Sequence, residues 1–326
     1  HEPLNEEIGW QHRMAKKKQM LLIINPRSGR EKIRLKLLDI LDAYTGAGYQ
    51  VQVHVTQKAL DARNAVLKYG AKKDLIVCSG GDGTLNEVIS GMMELAKPVS
   101  LGYIPAGSTN DFASSLRLPR QMMPAALNAV NGSPYAIDIG HFCEDRYFVY
   151  VAGFGAFTEV SYLTPQDKKN LLGHQAYILE GVKSLASIKS YSMKISCPEE
   201  TLEGEFIYGM VTNTVSVGGF KGLVNQNVAL NDGLFEVLLI RTPKTPLELS
   251  SIVTGLLLRE EEKSDLVYKF KTNRLTIHTQ EPVDWVLDGE FGGTRTDVVI
   301  QNLPQQILML CPPAADTQKH ARKSRE

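Results

Sequence analysis

Asp74–Gly91 reads DLIVCSGGDGTLNEVISG. The apolar run Leu75-Ile76-Val77-Cys78 stops at Gly80-Gly81-Asp82-Gly83, and Leu85, Val88 and Ile89 recur at helical spacing after Thr84. This predicts a buried strand, a glycine turn and a helix start. Glycine lets backbone approach a ligand with no Cβ in the way, and N–H groups at such a turn and at a helix N-terminus favour anions. The corner can therefore cradle phosphate. Asp82 inside it is the informative oddity, because a carboxylate belongs beside phosphate only where a cation, a hydroxyl or a water stands between them. An ordinary strand-to-helix turn that needs glycine for its dihedrals explains the same pattern, so this stretch alone leaves both readings open.

Upstream, MLLIINP over Met20–Pro26 predicts a buried strand, Arg27-Ser28-Gly29-Arg30 a turn, and Ile33, Leu37, Leu38 and Leu41 a helix. Asn25, Ser28 and Gly29 can offer an amide, a hydroxyl and an unobstructed N–H to an anion, although a plain strand-to-helix turn again suffices. Val51, Val53 and Val55 alternate with Gln52 and His54, marking a strand that ends at Thr56, and a helix with Ala62, Ala65, Val66 and Tyr69 leads back to Asp74. Downstream, Pro98 breaks the helix that follows the glycine corner, Val99–Pro105 forms another short strand, and Ala106-Gly107-Ser108-Thr109-Asn110-Asp111 follows. Thr109, Asn110 and Asp111 suit the cap of the next helix. Strands and helices alternating at this length predict a doubly wound, mostly parallel α/β domain of the Rossmann-like kind. Ligands collect at the carboxyl ends of such strands, where all four loops fall.

GGDGTLNEV, together with IINPRSG before it, IPAGSTNDFA after it and LDGE near residue 290, resembles the diacylglycerol kinase catalytic family, and within it the soluble bacterial lipid kinases. The motifs run in the right order from about Leu21 to about Pro312. GGDG is shared with NAD kinases and phosphofructokinases; NPRSG and the late DGE point to lipid kinases. The resemblance implies ATP as phosphoryl donor, contacted by Asn25, Pro26, Arg27, Ser28, Gly29, Thr56, Gly80, Gly81, Asp82, Gly83, Thr84, Asn86, Glu87 and Thr109. It implies Glu290 as proton acceptor, with Asp288 and Asp82 joining it in a water and Mg²⁺ network against the γ-phosphate. It also implies a structural Mg²⁺ held by Asp232 and the backbone carbonyls of Ala229 and Leu234. Read locally, Asn231-Asp232-Gly233 is a tight hairpin turn with or without a metal. Asp288 and Glu290 would share one face of an extended strand, with Gly289 allowing a bend. No Walker-type GKT or GKS follows these loops, which disfavours a P-loop NTPase.

A last helix, QMMPAALNAVN over Gln121–Asn131, closes the first half near Gly132. From Tyr135 onward YAIDIGHF, RYFVYVAGF, SYSMKISC, EFIYGMVTNT, GLFEVLLI, VYKFKTNRLTIHT, VDWVLDG, DVVIQN and QILMLCP read as strand after strand, predicting an antiparallel β-sandwich-type domain. Helical patterns interrupt at about Asn170–Ile188 and Thr245–Glu261. The second reads as a packing helix, since Glu260, Glu261 and Glu262 would be repelled by anionic lipid. The expected organisation is a flexible lead over 1–17, a nucleotide-binding domain over 18–132, a β-rich domain over 133–312 whose last segment can return to the first, and a basic tail over 313–326.

Lys plus Arg and Asp plus Glu number 36 each, so no global field steers the chain to nucleic acid or to an anionic surface. Cys78, Cys143, Cys197 and Cys311 are far apart with no CxxC pair and read as reduced thiols of a cytoplasmic protein. No run of about 18 residues is continuously apolar, and the first residues lack a signal-peptide core. Met14 is a plausible natural start, and the basic stretches Arg13–Lys18 and Lys319–Arg325 read as solvated ends, with contact to anionic headgroups left open. The expectation is a cytoplasmic kinase that docks reversibly at the membrane surface and phosphorylates a membrane lipid, diacylglycerol first. Other lipid acceptors (a sphingoid base, ceramide, monoacylglycerol, phosphatidylglycerol), NAD kinase activity and a non-catalytic regulator are the alternatives, and a homodimer is left open.

Overall fold

The computed structural model describes residues 17–29, 32–108, 110–155, 188–213, 216–217, 220–221, 229–258 and 265–313. The first half is built on parallel strands in the order β4 (Ser100–Pro105), β3 (Leu75–Gly80), β1 (Lys18–Ile24), β2 (Tyr49–Val55). Their apolar side chains sort by parity, as a pleated strand requires. Leu21, Ile23, Ile76, Cys78, Leu101 and Tyr103 pack beneath helices α2 (Asp61–Tyr69) and α3 (Asp82–Met92). Met20, Leu22, Leu75, Val77 and Ile104 face α1 (Lys32–Gly46) and α5 (Met122–Asn131) on the other side. Every residue of β3 is buried, which explains why its sequence is a continuous apolar run. A short helix, α4 (Asp111–Ser115), follows the loop after β4.

The second half contributes β5 (Ser133–Phe142), β6 (Arg146–Phe148), β7 (Val151–Gly155), β8 (Tyr191–Ser196), β9 (Thr201–Thr212), β10 (Ser216–Val217), β11 (Phe220–Lys221), β12 (Phe235–Arg241), β13 (Val267–Thr272), β14 (Arg274–Leu287) and β15 (Glu290–Cys311). The main sheet follows the order β13-β12-β9-β7-β14-β15 before it reaches β4. All pairs on this path up to β15 are antiparallel, as the dense turns imply. Two segments that the patterning separates, DVVIQN and QILMLCP, form one 22-residue strand, with a register shift between Leu303 and Ile307 around Pro304. Conversely, RYFVYVAGF divides into β6 and β7, leaving Val149 and Tyr150 between them.

The far end of β15 pairs in parallel with β4, Leu308 opposite Ser100 and Met309 opposite Leu101, so a single 13-stranded sheet spans both halves. The helix α6 (Pro246–Leu258) packs Ile252 against Ile207 and Ile240. The helical pattern expected at 170–188 lies almost wholly outside the described residues.

The core of the second half centres on Trp285, 1% exposed, with the rings of Phe142 and Phe154 at 5.3 and 5.1 Å between centroids. These contacts join β14, β5 and β7, and the tilted ring pairs add to the area that Trp285 buries. Removing so large a side chain leaves a cavity that strands on three sides cannot collapse to fill. Trp285→Ala is expected to destabilise the protein by about 3–5 kcal/mol, measured as a lowered midpoint of chemical denaturation.

Candidate active site

Four loops converge at the carboxyl ends of β1, β2, β3 and β4, and backbone bonds tie them together. The Asn25 N–H donates to Ser79 O at 2.9 Å, Thr56 N–H to Ile24 O at 2.9 Å, and Ala106 N–H to Gly80 O at 2.8 Å. Gly29 has φ +57°, and a Cβ there would fall 2.0 Å from Ala106 O. A Cβ on Gly107 would lie 2.7 Å from the Cα of Gly81. The three glycines thus let the loops approach one another as no larger residue could. Asn110, in the left-handed region at φ 51°, closes its loop by accepting from Gly107 N–H and donating to Gly107 O, both at 2.8 Å. Thr109 lies outside the described residues.

Several expected nucleotide contacts have other partners. Asn25 donates one amide proton to Thr84 Oγ1 at 3.0 Å and accepts from Arg27 N–H at 3.0 Å, so it braces the turn with half of its donor capacity. Glu87 accepts from Leu60 N–H at 2.8 Å and Ala62 N–H at 3.2 Å, capping the start of α2. Asn86 donates to Asp288 Oδ2 at 2.6 Å and to Tyr147 O at 3.0 Å. Pro26, Ser28, Gly29, Thr56, Gly80, Gly81, Gly83 and Thr84 lie on the converging loops, with Arg27 exposed at their rim.

Asp82 is the first residue of α3, where the helix dipole favours a negative charge. Its Oδ2 accepts the Asp111 N–H at 3.2 Å, while its Oδ1 is shut off from solvent with no hydrogen-bond partner. Burial, then the neighbouring Asp111 charge, push the Asp82 carboxyl up to about 7. Asp111 is itself 3% exposed. Its position at the start of α4 has the look of a helix cap, so this second acid was missed; its signal was an acidic residue at another strand's carboxyl end. Tyr103, also missed, donates its hydroxyl to Gly80 O at 3.1 Å beneath the corner.

Asp288 and Gly289 have φ 50° and 85°, the conformation of a two-residue hairpin turn closed by Leu287 opposite Glu290. Asp288 and Glu290 therefore do not share a face, contrary to the extended-strand expectation, because two successive left-handed residues rotate the chain between them. Asp288 turns inward and accepts the N–H groups of Val149, Tyr150 and Val151 at 2.7, 2.9 and 3.0 Å. Burial raises its carboxyl and these bonds oppose the rise. Glu290 is exposed, and its Oε1 lies 3.6 Å from the position a Cβ would occupy on Gly83. The glycine corner and the acidic tip thus meet.

The diacylglycerol kinase catalytic domain matches residues 19–142. Over 299 residues, 90% of this chain and 97% of the relative, the sequence is 38% identical to the diacylglycerol kinase of Bacillus subtilis (strain 168). The chain belongs to the diacylglycerol kinase family. The diacylglycerol kinase of a Staphylococcus saprophyticus strain is 33% identical over 91% of this chain and 96% of its own length. A crystal structure from Bacillus anthracis str. Sterne, assigned as a diacylglycerol kinase, superposes with a TM-score of 0.78 at 25% identity, covering 91% of this chain and 98% of that one. With the family comes the enzyme class, a lipid kinase. Among the described residues no helix of this family member is long and apolar enough to cross a membrane.

Among the described residues, no three His, Cys, Asp or Glu side chains gather around one point on their own. At the 229–234 loop, Asp232 Oδ1 accepts the Leu234 N–H at 3.1 Å and Oδ2 lies 3.6 Å from Lys271 Nζ. At the glycine corner, the unpartnered Asp82 Oδ1 beside Asp111 fits a divalent cation whose remaining ligands come from water and substrate phosphate.

Asp82 holds its proton more tightly in the folded protein than in the unfolded chain, so without divalent cation stability falls as pH rises from about 4 through about 7. Asp82→Asn removes that loss. It is expected to stabilise the metal-free protein by about 1–3 kcal/mol at pH 8 and by little at pH 4, read from guanidinium denaturation at both values.

Proposed function

We propose that this kinase transfers the γ-phosphoryl group of ATP to the hydroxyl of diacylglycerol, with Glu290 as proton acceptor. One observation carries the reading: Glu290 reaches the first turn of α3 at Gly83, beside an Asp82 oxygen that is buried and unpartnered. Phosphoryl transfer asks the protein mainly for positioning and electrostatics, and these residues supply both. Gly29, Gly81 and Gly107 let the loops close on one another around the N-terminus of α3, which favours the negative charge of a phosphate. Glu290, exposed at the tip of the hairpin, is placed to orient and deprotonate an incoming hydroxyl.

Asp82 and Asp111 would hold Mg²⁺ at the corner. Bound there, Mg²⁺ would neutralise charge on the phosphates. A structural Mg²⁺ at the 229–234 loop belongs to the same reading, held by Asp232 and the carbonyls of Ala229 and Leu234. Its support is a carboxylate folded back over its own turn, with Gly233 at φ 75° and its N–H on Asp138 Oδ2 at 2.7 Å.

On this reading the lipid enters from a membrane surface; among the described residues no helix is long and apolar enough to cross a membrane. The reading places the enzyme at the cytoplasmic leaflet, bound reversibly. NAD kinase activity and a purely binding role are the competing readings. The placement of Glu290 favours catalysis, since a binder has no use for an exposed acid held over the phosphate corner.

Glu290→Gln is expected to lower lipid phosphorylation at least about 100-fold while nucleotide affinity stays the same. The assay pairs labelled ATP with diacylglycerol, monoacylglycerol, ceramide, a sphingoid base, phosphatidylglycerol and NAD in mixed micelles, with and without Mg²⁺. Phosphatidic acid as the principal product, dependent on Mg²⁺, is the expected result. Phosphorylation of NAD alone, or full activity in Glu290→Gln, would overturn the assignment.

A further inference from the structure

An ionised carboxylate offers about four lone-pair sites, and Asp288 uses them all. Oδ2 accepts from Asn86 Nδ2 at 2.6 Å and Val149 N–H at 2.7 Å; Oδ1 accepts from Tyr150 N–H at 2.9 Å and Val151 N–H at 3.0 Å. So satisfied an anion has no capacity left for a cation or a substrate proton. Three of its donors come from the second half of the chain. The fourth comes from α3, 202 residues away, and it is the only side chain in the set.

Asn86 is equally committed. Its second amide proton goes to Tyr147 O at 3.0 Å, and its Oδ1 faces Ser90 Oγ at 3.4 Å. No amide proton remains for a nucleotide. Gly83 and Asn86 lie three residues apart on α3 and so share a helical face. One face of one helix thus carries both the spot that Glu290 approaches and the anchor for the turn that bears Glu290.

We infer that Asn86 is a positioning residue for phosphoryl transfer: by holding Asp288 it sets the reach of Glu290 over Gly83. The inference rests on Glu290 being the proton acceptor. Asp288, on this account, is a brace for the hairpin tip and neither a metal ligand nor a base. The bond crosses between the two halves and ties the acid tip directly to the helix that opens at the phosphate corner.

A residue that acts through another should change turnover and leave nucleotide binding alone. In Asn86→Ala, kcat is expected to fall about 10- to 100-fold, the range of a hydrogen bond to a charged group. The KM for ATP and the dissociation constant of a non-hydrolysable ATP analogue stay within about twofold. Asn86→Asp sets two carboxylates against each other and should be slower than the alanine variant. If Asn86 acts through Asp288, the double variant Asn86→Ala with Asp288→Asn should be no more than about threefold slower than Asp288→Asn alone. Thermal unfolding of each variant controls for folding; if alanine costs the fold, Asn86→Ser takes its place in the same comparison.

A raised KM for ATP with kcat preserved would make Asn86 a nucleotide ligand and overturn the inference, as would a double variant about tenfold or more slower than Asp288→Asn alone. Failure of the underlying reading looks different: Glu290→Gln would then remain active whatever the Asn86 variants do.

Discussion

A carboxylate taken out of water must be met by donors or by a cation, and two buried acids here answer that demand in opposite ways. Asp288 is met completely, by three consecutive backbone N–H groups and one amide. Asp82 is met by backbone N–H groups at Asp111 and Phe112, while its Oδ1 has no hydrogen-bond partner. Full satisfaction makes a rigid strut; partial satisfaction makes a site that gains by binding something positive. The machinery follows from this division. The satisfied acid fixes where the hairpin tip lies, and the unsatisfied one makes the phosphate corner receptive to a cation-bearing ligand.

The division also explains why two segments far apart in sequence act as one site. The corner after β3 is shaped by glycines that allow backbone to touch backbone, at Gly29 against Ala106 and at Gly81 against Gly107. The tip between β14 and β15 is shaped by an Asp-Gly turn. Neither feature alone distinguishes a kinase from an ordinary loop. Their apposition through α3 sets an exposed acid against the first turn of the helix that begins at the buried Asp82.

Much of this architecture is legible in the residues. The unbroken apolar runs of β1 and β3 and the alternation in β2 reflect how many faces of each strand are covered, so the parallel half is readable from hydrophobicity. The glycine corner and the late acidic turn are readable as well. What local pattern misses is the partner of each polar side chain. Asn25 looks like a donor to an anion, yet one of its two amide protons goes to Thr84, 59 residues on. Glu87 and Asn86 sit in a phosphate-binding motif but face α2 and the second half of the chain. Asp288 shows the limit most clearly. The Asp-Gly pair that marks a tight turn at Asp232-Gly233 recurs at Asp288-Gly289, and only that turn, not strand alternation, says where the carboxylate points.

The pairing of Leu308 and Met309 with β4 has a bearing on how the chain comes to be folded on the ribosome. The parallel sheet keeps the flank of β4 open until Leu308 and Met309 have been made. During synthesis β4 is therefore an unguarded edge, and the nascent protein depends on β15 arriving before another molecule finds that flank.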